Sequence, residues 1–247
     1  MAHTIRSSFA CIVCILSLWL IVPTATLLAL DREVPAIVPE PQTDDWWMPQ
    51  HERSVARVRQ GQVDLLMIGD SITQGWGDEG RQVWDRYYAH RRAVNLGFNG
   101  DRTEQVLWRL QHGELDGIHP KVAVVMIGTN NSGTRNDPPE ETAAGVQAIV
   151  TLIRTKLPET KILLFGIFPR CATATDALRV LNEAINERLR AFADGRHLFY
   201  ADLGHLFLER DGRLKRDLMP DLLHLNEQGY RVWAEGMEAQ LKELLGE

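Results

Sequence analysis

The chain has 247 residues, 45% of them hydrophobic and 24% charged, which suits one globular domain preceded by a leader. Its formal charge is −6 and no run of Lys or Arg forms a basic footprint, so nucleic-acid binding is set aside. Cys11 and Cys14 fall in an apolar N-terminal stretch and leave Cys171 alone in the remainder, which excludes an intramolecular disulfide there.

His3 and Arg6 precede an uncharged stretch from Phe9 to Leu30, with Pro23 and then Thr24, Ala25 and Thr26. A weakly basic start, an apolar middle and small residues near a cleavage point read as a secretory signal over residues 1–30. The alternative is an uncleaved membrane anchor, because about 20 apolar residues suffice to span a bilayer. Either reading places the rest of the chain outside the cytoplasm, periplasmic or secreted. Cys11 and Cys14 belong to this leader and not to a metal or redox site. Residues 31–45, with Pro35, Pro39 and Pro41 among mixed charges, read as a linker, and residues 46–247 as one domain.

Within that domain a first helix is expected over 46–60, with Trp46 and Trp47 as packing residues. Short apolar runs follow at 63–69, 93–96, 121–127, 161–167 and 197–202. Helical patterns lie between and after them, at about 78–88, 101–112, 139–157, 176–194 and 226–245. Pro138-Pro139-Glu140-Glu141 supplies the proline and acids that favour a helix start. This alternation predicts an α/β fold with a five-stranded parallel sheet and right-handed crossovers. There is no internal repeat.

Four loops carry the polar residues. Gly69-Asp70-Ser71 ends the run Val63-Asp64-Leu65-Leu66-Met67-Ile68, which puts a hydroxyl at the carboxyl end of a buried strand, where open α/β sheets bind ligands. Asn95-Leu96-Gly97-Phe98-Asn99-Gly100-Asp101 and Gly128-Thr129-Asn130-Asn131 follow two other strands. Asp221-Leu222-Leu223-His224 precedes the last helix.

Acyl transfer needs a nucleophile, a base, a group that orients the base, and donors for the oxyanion. Ser71 supplies the hydroxyl, and His224 can act as general base and acid. Asp221, three residues earlier, can reach the imidazole Nδ1 proton on a turn or helical start. The amides of Ser71 and Gly97 and the side chain of Asn130 can point at one oxygen. Each residue also has a plain structural reading. Asp70-Ser71 can simply cap a helix, Gly97 and Gly100 can be turn glycines, Asn130 can hold its loop, and Asp221-x-x-His224 can be an N-cap box.

Gly-Asp-Ser, then Gly97, then Gly128-Thr129-Asn130-Asn131, then Asp-x-x-His resembles the block pattern of the SGNH (GDSL-type) hydrolases. Further segments are similar to the branch of the catalytic α subunits of platelet-activating factor acetylhydrolase Ib. They are Trp47-Met48-Pro49-Gln50-His51, Gln105-Val106-Leu107-Trp108-Arg109-Leu110, Gly113-Glu114-Leu115, Pro120-Lys121-Val122 and Leu223-His224-Leu225. The resemblance covers about residues 46–245. It implies a three-layer αβα flavodoxin-like fold, no metal or other cofactor, hydrolysis of short acyl esters, and a homodimer. It assigns catalysis to Ser71, Asp221 and His224, the oxyanion hole to Ser71, Gly97 and Asn130, and the acyl pocket to Ile72, Thr129 and Leu223. The expected activity is a secreted acetyl esterase on a small acyl ester. The alternatives are a carbohydrate O-acetyl esterase and a non-catalytic binding module. Two departures from that branch are the leader, since its members are cytosolic, and the different composition of Pro169 to Asp176.

Gly75-Trp76-Gly77-Asp78-Glu79-Gly80 matches G-x-G-x-x-G but begins six residues past its strand, so it is not read as a dinucleotide site. No G-x-S-x-G elbow surrounds Ser71. His51, His90, His112, His119, His197 and His205 show no zinc-ligand spacing.

Overall fold

Five apolar runs pair into one parallel sheet in the computed structural model, which describes Met1 and residues 33–247. The expected leader lies outside the described residues, apart from Met1. The strands are β1 (Leu65–Gly69), β2 (Ala93–Gly97), β3 (Val122–Met126), β4 (Lys161–Phe165) and β5 (Leu198–Ala201), in the order β2-β1-β3-β4-β5. This is the flavodoxin-like order, whose switch point lies between β1 and β3. Gly69 stands opposite Gly97 on one side and Met126 on the other, so the loops leaving β1, β2 and β3 start level at the switch point.

The helices follow from the two faces of these strands. Leu66, Ile68, Val94, Leu96, Ala123, Val125, Ile162 and Leu164 pack on one side, under α1 (Trp47–Arg59), α4 (Thr103–Gln111), α5 (Pro139–Lys156) and α6 (Ala177–Arg190). Leu65, Met67, Val122, Val124, Met126, Leu163 and Phe165 pack on the other. There they meet the one-turn α2 (Ser71–Gln74), α3 (Arg81–Tyr87) and α7 (Glu227–Leu245), with Trp76 and Trp233 fully buried between. Alternate residues of each strand thus feed alternate layers, which is why the runs are apolar throughout.

Three segments differ from expectation. Residues 34–45 are not a linker: Pro35–Ile37 forms a 3-10 turn, Ala36 is fully buried, and the Ala36 carbonyl accepts Thr103 Oγ1 at 2.8 Å. The prolines preclude a long regular element but lower the entropy lost when the segment docks across α4 and α5. The helix expected from 78 begins at Arg81, because Gly75–Gly77 turns tightly first. A Cβ at Gly75 would lie 2.0 Å from the Tyr230 hydroxyl and one at Gly80 2.8 Å from its ring, so these glycines of the G-x-G-x-x-G run admit Tyr230. Asn131–Arg135 forms a π-helical turn in what reads as a loop. Among the described residues, no helix is long and apolar enough to cross a membrane.

Candidate active site

Strand β1 ends on Gly69, where no larger residue fits: a Cβ would sit 2.1 Å from Thr73 Oγ1 and 2.4 Å from the Met126 carbonyl. Asp70 then caps α2, its Oδ1 accepting the Ile72 amide at 3.0 Å, and Ser71 is the first residue of that turn. The capping reading of Asp70 therefore holds, and it is what turns the Ser71 side chain off the strand.

The last loop meets this turn. Ser71 Oγ lies 3.0 Å from His224 Nε2, and His224 Nδ1 lies 2.6 Å from Asp221 Oδ2. The tautomer that satisfies both contacts carries its proton on Nδ1 and leaves Nε2 to accept from the hydroxyl. Asp221 Oδ1 also accepts the Leu223 and His224 amides at 3.0 and 2.7 Å, so one carboxylate folds the loop and orients the ring. Partial burial raises the Asp221 pKa, but the hydrogen bonds from the His224 ring and the two amides outweigh it and hold the carboxyl below its ordinary 3.8. Leu222 takes the left-handed conformation at φ 67°, and its carbonyl accepts the Cys171 amide at 3.0 Å. The loop after β4 thereby buttresses the histidine loop. The His224 and Asp221 side chains are 43% and 56% exposed, so the relay is open to solvent.

Of the expected oxyanion donors, the Ser71 amide stands at a helix start, where N–H groups lack intrahelical acceptors. Asn130 reaches the same edge, one hydrogen of its Nδ2 held by the Asp101 carbonyl at 2.9 Å and the other without an acceptor among the described residues. Gly97 is corrected. Its amide donates to Asn95 Oδ1 at 2.9 Å, and its Cα touches α2 so closely that a Cβ would lie 2.0 Å from the Gln74 nitrogen. It is a packing glycine. Gly100, read from sequence only as a turn glycine, takes φ +74° in the turn that closes with the Asp101 amide on the Phe98 carbonyl. Among the described residues its amide has no acceptor. The readable signal was a glycine immediately before the acid whose carbonyl holds Asn130.

The three expected acyl-pocket residues differ in exposure. Ile72 is 1% exposed within the core under α7, and Thr129 is 2% exposed, bonded through its Oγ1 to Arg170 and Asn182. Leu223, by contrast, is half-buried beside His224. A cavity of about 290 Å³ between α6 and the ends of β4 and β5 is lined by Ile167, Asn182, Glu183, Asp202 and His205, among others, and not by the Ser71–His224 pair. Among the described residues no cluster of three or more His, Cys, Asp or Glu is placed to hold a metal ion.

Residues 67–232 match the model of the GDSL-like lipase/acylhydrolase family. The chain is 35% identical over 215 residues to the human platelet-activating factor acetylhydrolase IB subunit alpha2, covering 87% of this chain and 91% of that one. Among solved structures it is similar to a GDSL-like lipase from Bacteroides thetaiotaomicron, with a TM-score of 0.64, 15% identity, and coverage of 78% of this chain and 97% of that one. It is also similar to an acetylxylan esterase from Geobacillus stearothermophilus, with a TM-score of 0.58, 18% identity and coverage of 76% and 95%.

Proposed function

This chain belongs to the GDSL-like lipase/acylhydrolase family and is a carboxylic ester hydrolase; we propose that it removes short acyl groups, acetyl foremost, by a Ser71–His224–Asp221 relay acting outside the cytoplasm. The observation that carries the mechanism is the continuous pair of contacts from Ser71 Oγ to His224 at 3.0 Å and from His224 to Asp221 at 2.6 Å. Ser71 Oγ attacks the ester carbonyl while His224 Nε2 takes its proton, and Asp221 stabilises the imidazolium. The tetrahedral oxyanion rests on the Ser71 amide, Asn130 Nδ2 and the Gly100 amide. The availability of that last donor, against the occupied amide of Gly97, supports the choice. Loss of one such donor typically costs about 2.7–4 kcal/mol of transition-state stabilisation. His224 then protonates the leaving alcohol, and a water deprotonated by the same ring releases the acid.

The acetyl preference rests on the acetylhydrolase relatives and on Leu223, whose branched side chain stands next to the base. An extracytoplasmic location rests on the apolar stretch of residues 9–30 alone, and N-terminal sequencing of the exported chain tests it. The decisive assay is kcat/KM on p-nitrophenyl acetate, butyrate and octanoate, with Ser71→Ala as control. One or more methylenes that clash are worth about 1–3 kcal/mol, so acetyl should exceed butyryl by roughly 10-fold or more. A wild-type preference for octanoate refutes the short-acyl reading. Activity undiminished in Ser71→Ala refutes the relay.

A further inference from the structure

Three of the segments singled out in the sequence take no part in the relay: Trp47 to His51, Trp108-Arg109-Leu110 and Gly113-Glu114-Leu115. They converge behind it. Arg109 on α4 is fully buried, and each edge of its guanidinium meets a different stretch of chain. Nε donates to Asp101 Oδ2 at 2.7 Å, Nη1 to Glu114 Oε2 at 2.6 Å, and Nη2 to the Gly69 carbonyl at 2.9 Å. Its flat face lies 4.3 Å from the centre of the Phe98 ring. The two carboxylates are held in turn. Asp101 Oδ1 accepts Trp47 Nε1 at 2.8 Å and Gln42 Nε2 at 2.7 Å, and Glu114 Oε1 lies 3.3 Å from His51 Nδ1.

An ionic network this deep is an expensive way to gain stability, since apolar side chains of equal volume commonly do as well. What it has that apolar packing lacks is direction. Gly69 is two residues before Ser71, and the carbonyl of Asp101, the residue after Gly100, is the acceptor that orients Asn130 Nδ2. Arg109 therefore spans the gap between the nucleophile turn and the oxyanion turn with a planar, rigid fork, which a lysine cannot imitate.

We propose that Arg109 is a positioning residue: through its bonds to the Gly69 carbonyl and to Asp101 it sets the distance between Ser71 and the oxyanion donors Asn130 and Gly100, with Gln42, Trp47, His51 and Glu114 holding the fork in register. The proposal rests on the relay and oxyanion assignments above. It implies that the brace acts on the transition state, where the oxyanion forms, and little on ground-state binding.

The test compares wild type, Arg109→Lys, Asn130→Ala and the double variant on p-nitrophenyl acetate, with thermal unfolding of each. Trp47→Phe combined with Gln42→Ala serves as a milder pair that keeps the ring and the ions while removing both donors to Asp101 Oδ1. Removing an oxyanion donor lowers kcat about 10²–10³-fold, so Asn130→Ala should fall in that range. Arg109→Lys should lower kcat about 10- to 100-fold with KM within about 2-fold, and the double variant should be slower than Asn130→Ala alone by clearly less than that factor, because part of what Arg109 positions is Asn130 and only the Gly100 amide remains. The Trp47→Phe/Gln42→Ala pair should lower kcat in the same sense, with a smaller effect in the Asn130→Ala background. Should Arg109→Lys fail to fold, this pair alone decides. Effects of Arg109→Lys and Asn130→Ala that multiply independently, or an unchanged kcat with only a lower Tm, overturn the proposal. Undiminished activity in Ser71→Ala is the separate result that removes the relay on which it stands.

Discussion

Replacing Asp70 by Asn should stabilise the protein, and do so only above mildly acidic pH. Asp70 is 2% exposed, and burial, aided by the like charge of Asp101, pushes its carboxyl from 3.8 up to about 7, against the Ile72 amide and His224, which favour the charged form. The folded chain thus holds a proton between about pH 4 and 7 that the unfolded chain has released. Stability falls with rising pH wherever the folded state binds more protons than the unfolded one, here at about 1.4 kcal/mol per pH step. The contribution is fully present below the unfolded pKa of about 4, is lost as pH rises through about 7, and amounts to about 4 kcal/mol in all. Asparagine keeps the Oδ1 acceptor for the Ile72 amide and cannot ionise. In urea unfolding at pH 5, 6, 7 and 8, the difference between Asp70→Asn and wild type should grow in favour of the variant by about 3 kcal/mol across the series and level off above pH 7. Carboxyls that do not interact with Asp70 cancel in that difference. A difference that stays constant, or that shrinks with rising pH, refutes the argument.

His224→Ala should lower kcat by roughly 10-fold or more beyond Asp221→Ala, since the base moves protons and the acid only orients it. Because Asp221 Oδ1 also ties down the Leu223 and His224 amides, Asp221→Ala should lower Tm as well, and equal or reversed kcat losses would contradict the division of roles. Leu223→Ala should raise kcat/KM for butyrate relative to acetate by several-fold, up to the roughly 10-fold that a methylene in an apolar site commands; an unchanged ratio places the acyl group elsewhere. Gly97→Ala should destabilise by more than the usual about 1–3 kcal/mol of an overpacked core, because its Cβ would meet the Gln74 nitrogen at 2.0 Å and push α2 with Ser71 off the sheet. Near-wild-type Tm in urea or heat would restore Gly97 as an ordinary turn residue. Asn186→Leu strips the Ile167 amide and carbonyl of their partners at 2.7 and 2.9 Å and should cost about 2–4 kcal/mol, read as a shift of the urea midpoint.

Much of this protein is legible in its residues because the deciding interactions are short in sequence. The strands show themselves as apolar runs because each is covered on both faces, and their alternation with helices leaves few topologies. Asp70 caps two residues on, and Asp221 reaches His224 across three, so both motifs carry their geometry in their spacing. Gly97 and Gly100 are different: whether an amide is free depends on where the Asn95 side chain turns and on how closely α2 packs, and neither is a property of the glycine. Ile72 and Leu223 flank catalytic residues in the same way along the chain, yet α7 covers the one and leaves the other half-exposed. The segment at 34–45 reads as a linker because its prolines forbid a ladder, while its carbonyls and Gln42 find partners some sixty residues away. Arg109 reads as one charge on an amphipathic helix. Only the fold brings Gly69, Asp101 and Glu114 to the three edges of its guanidinium, since a buried ion can be satisfied only by groups that the tertiary arrangement delivers to it.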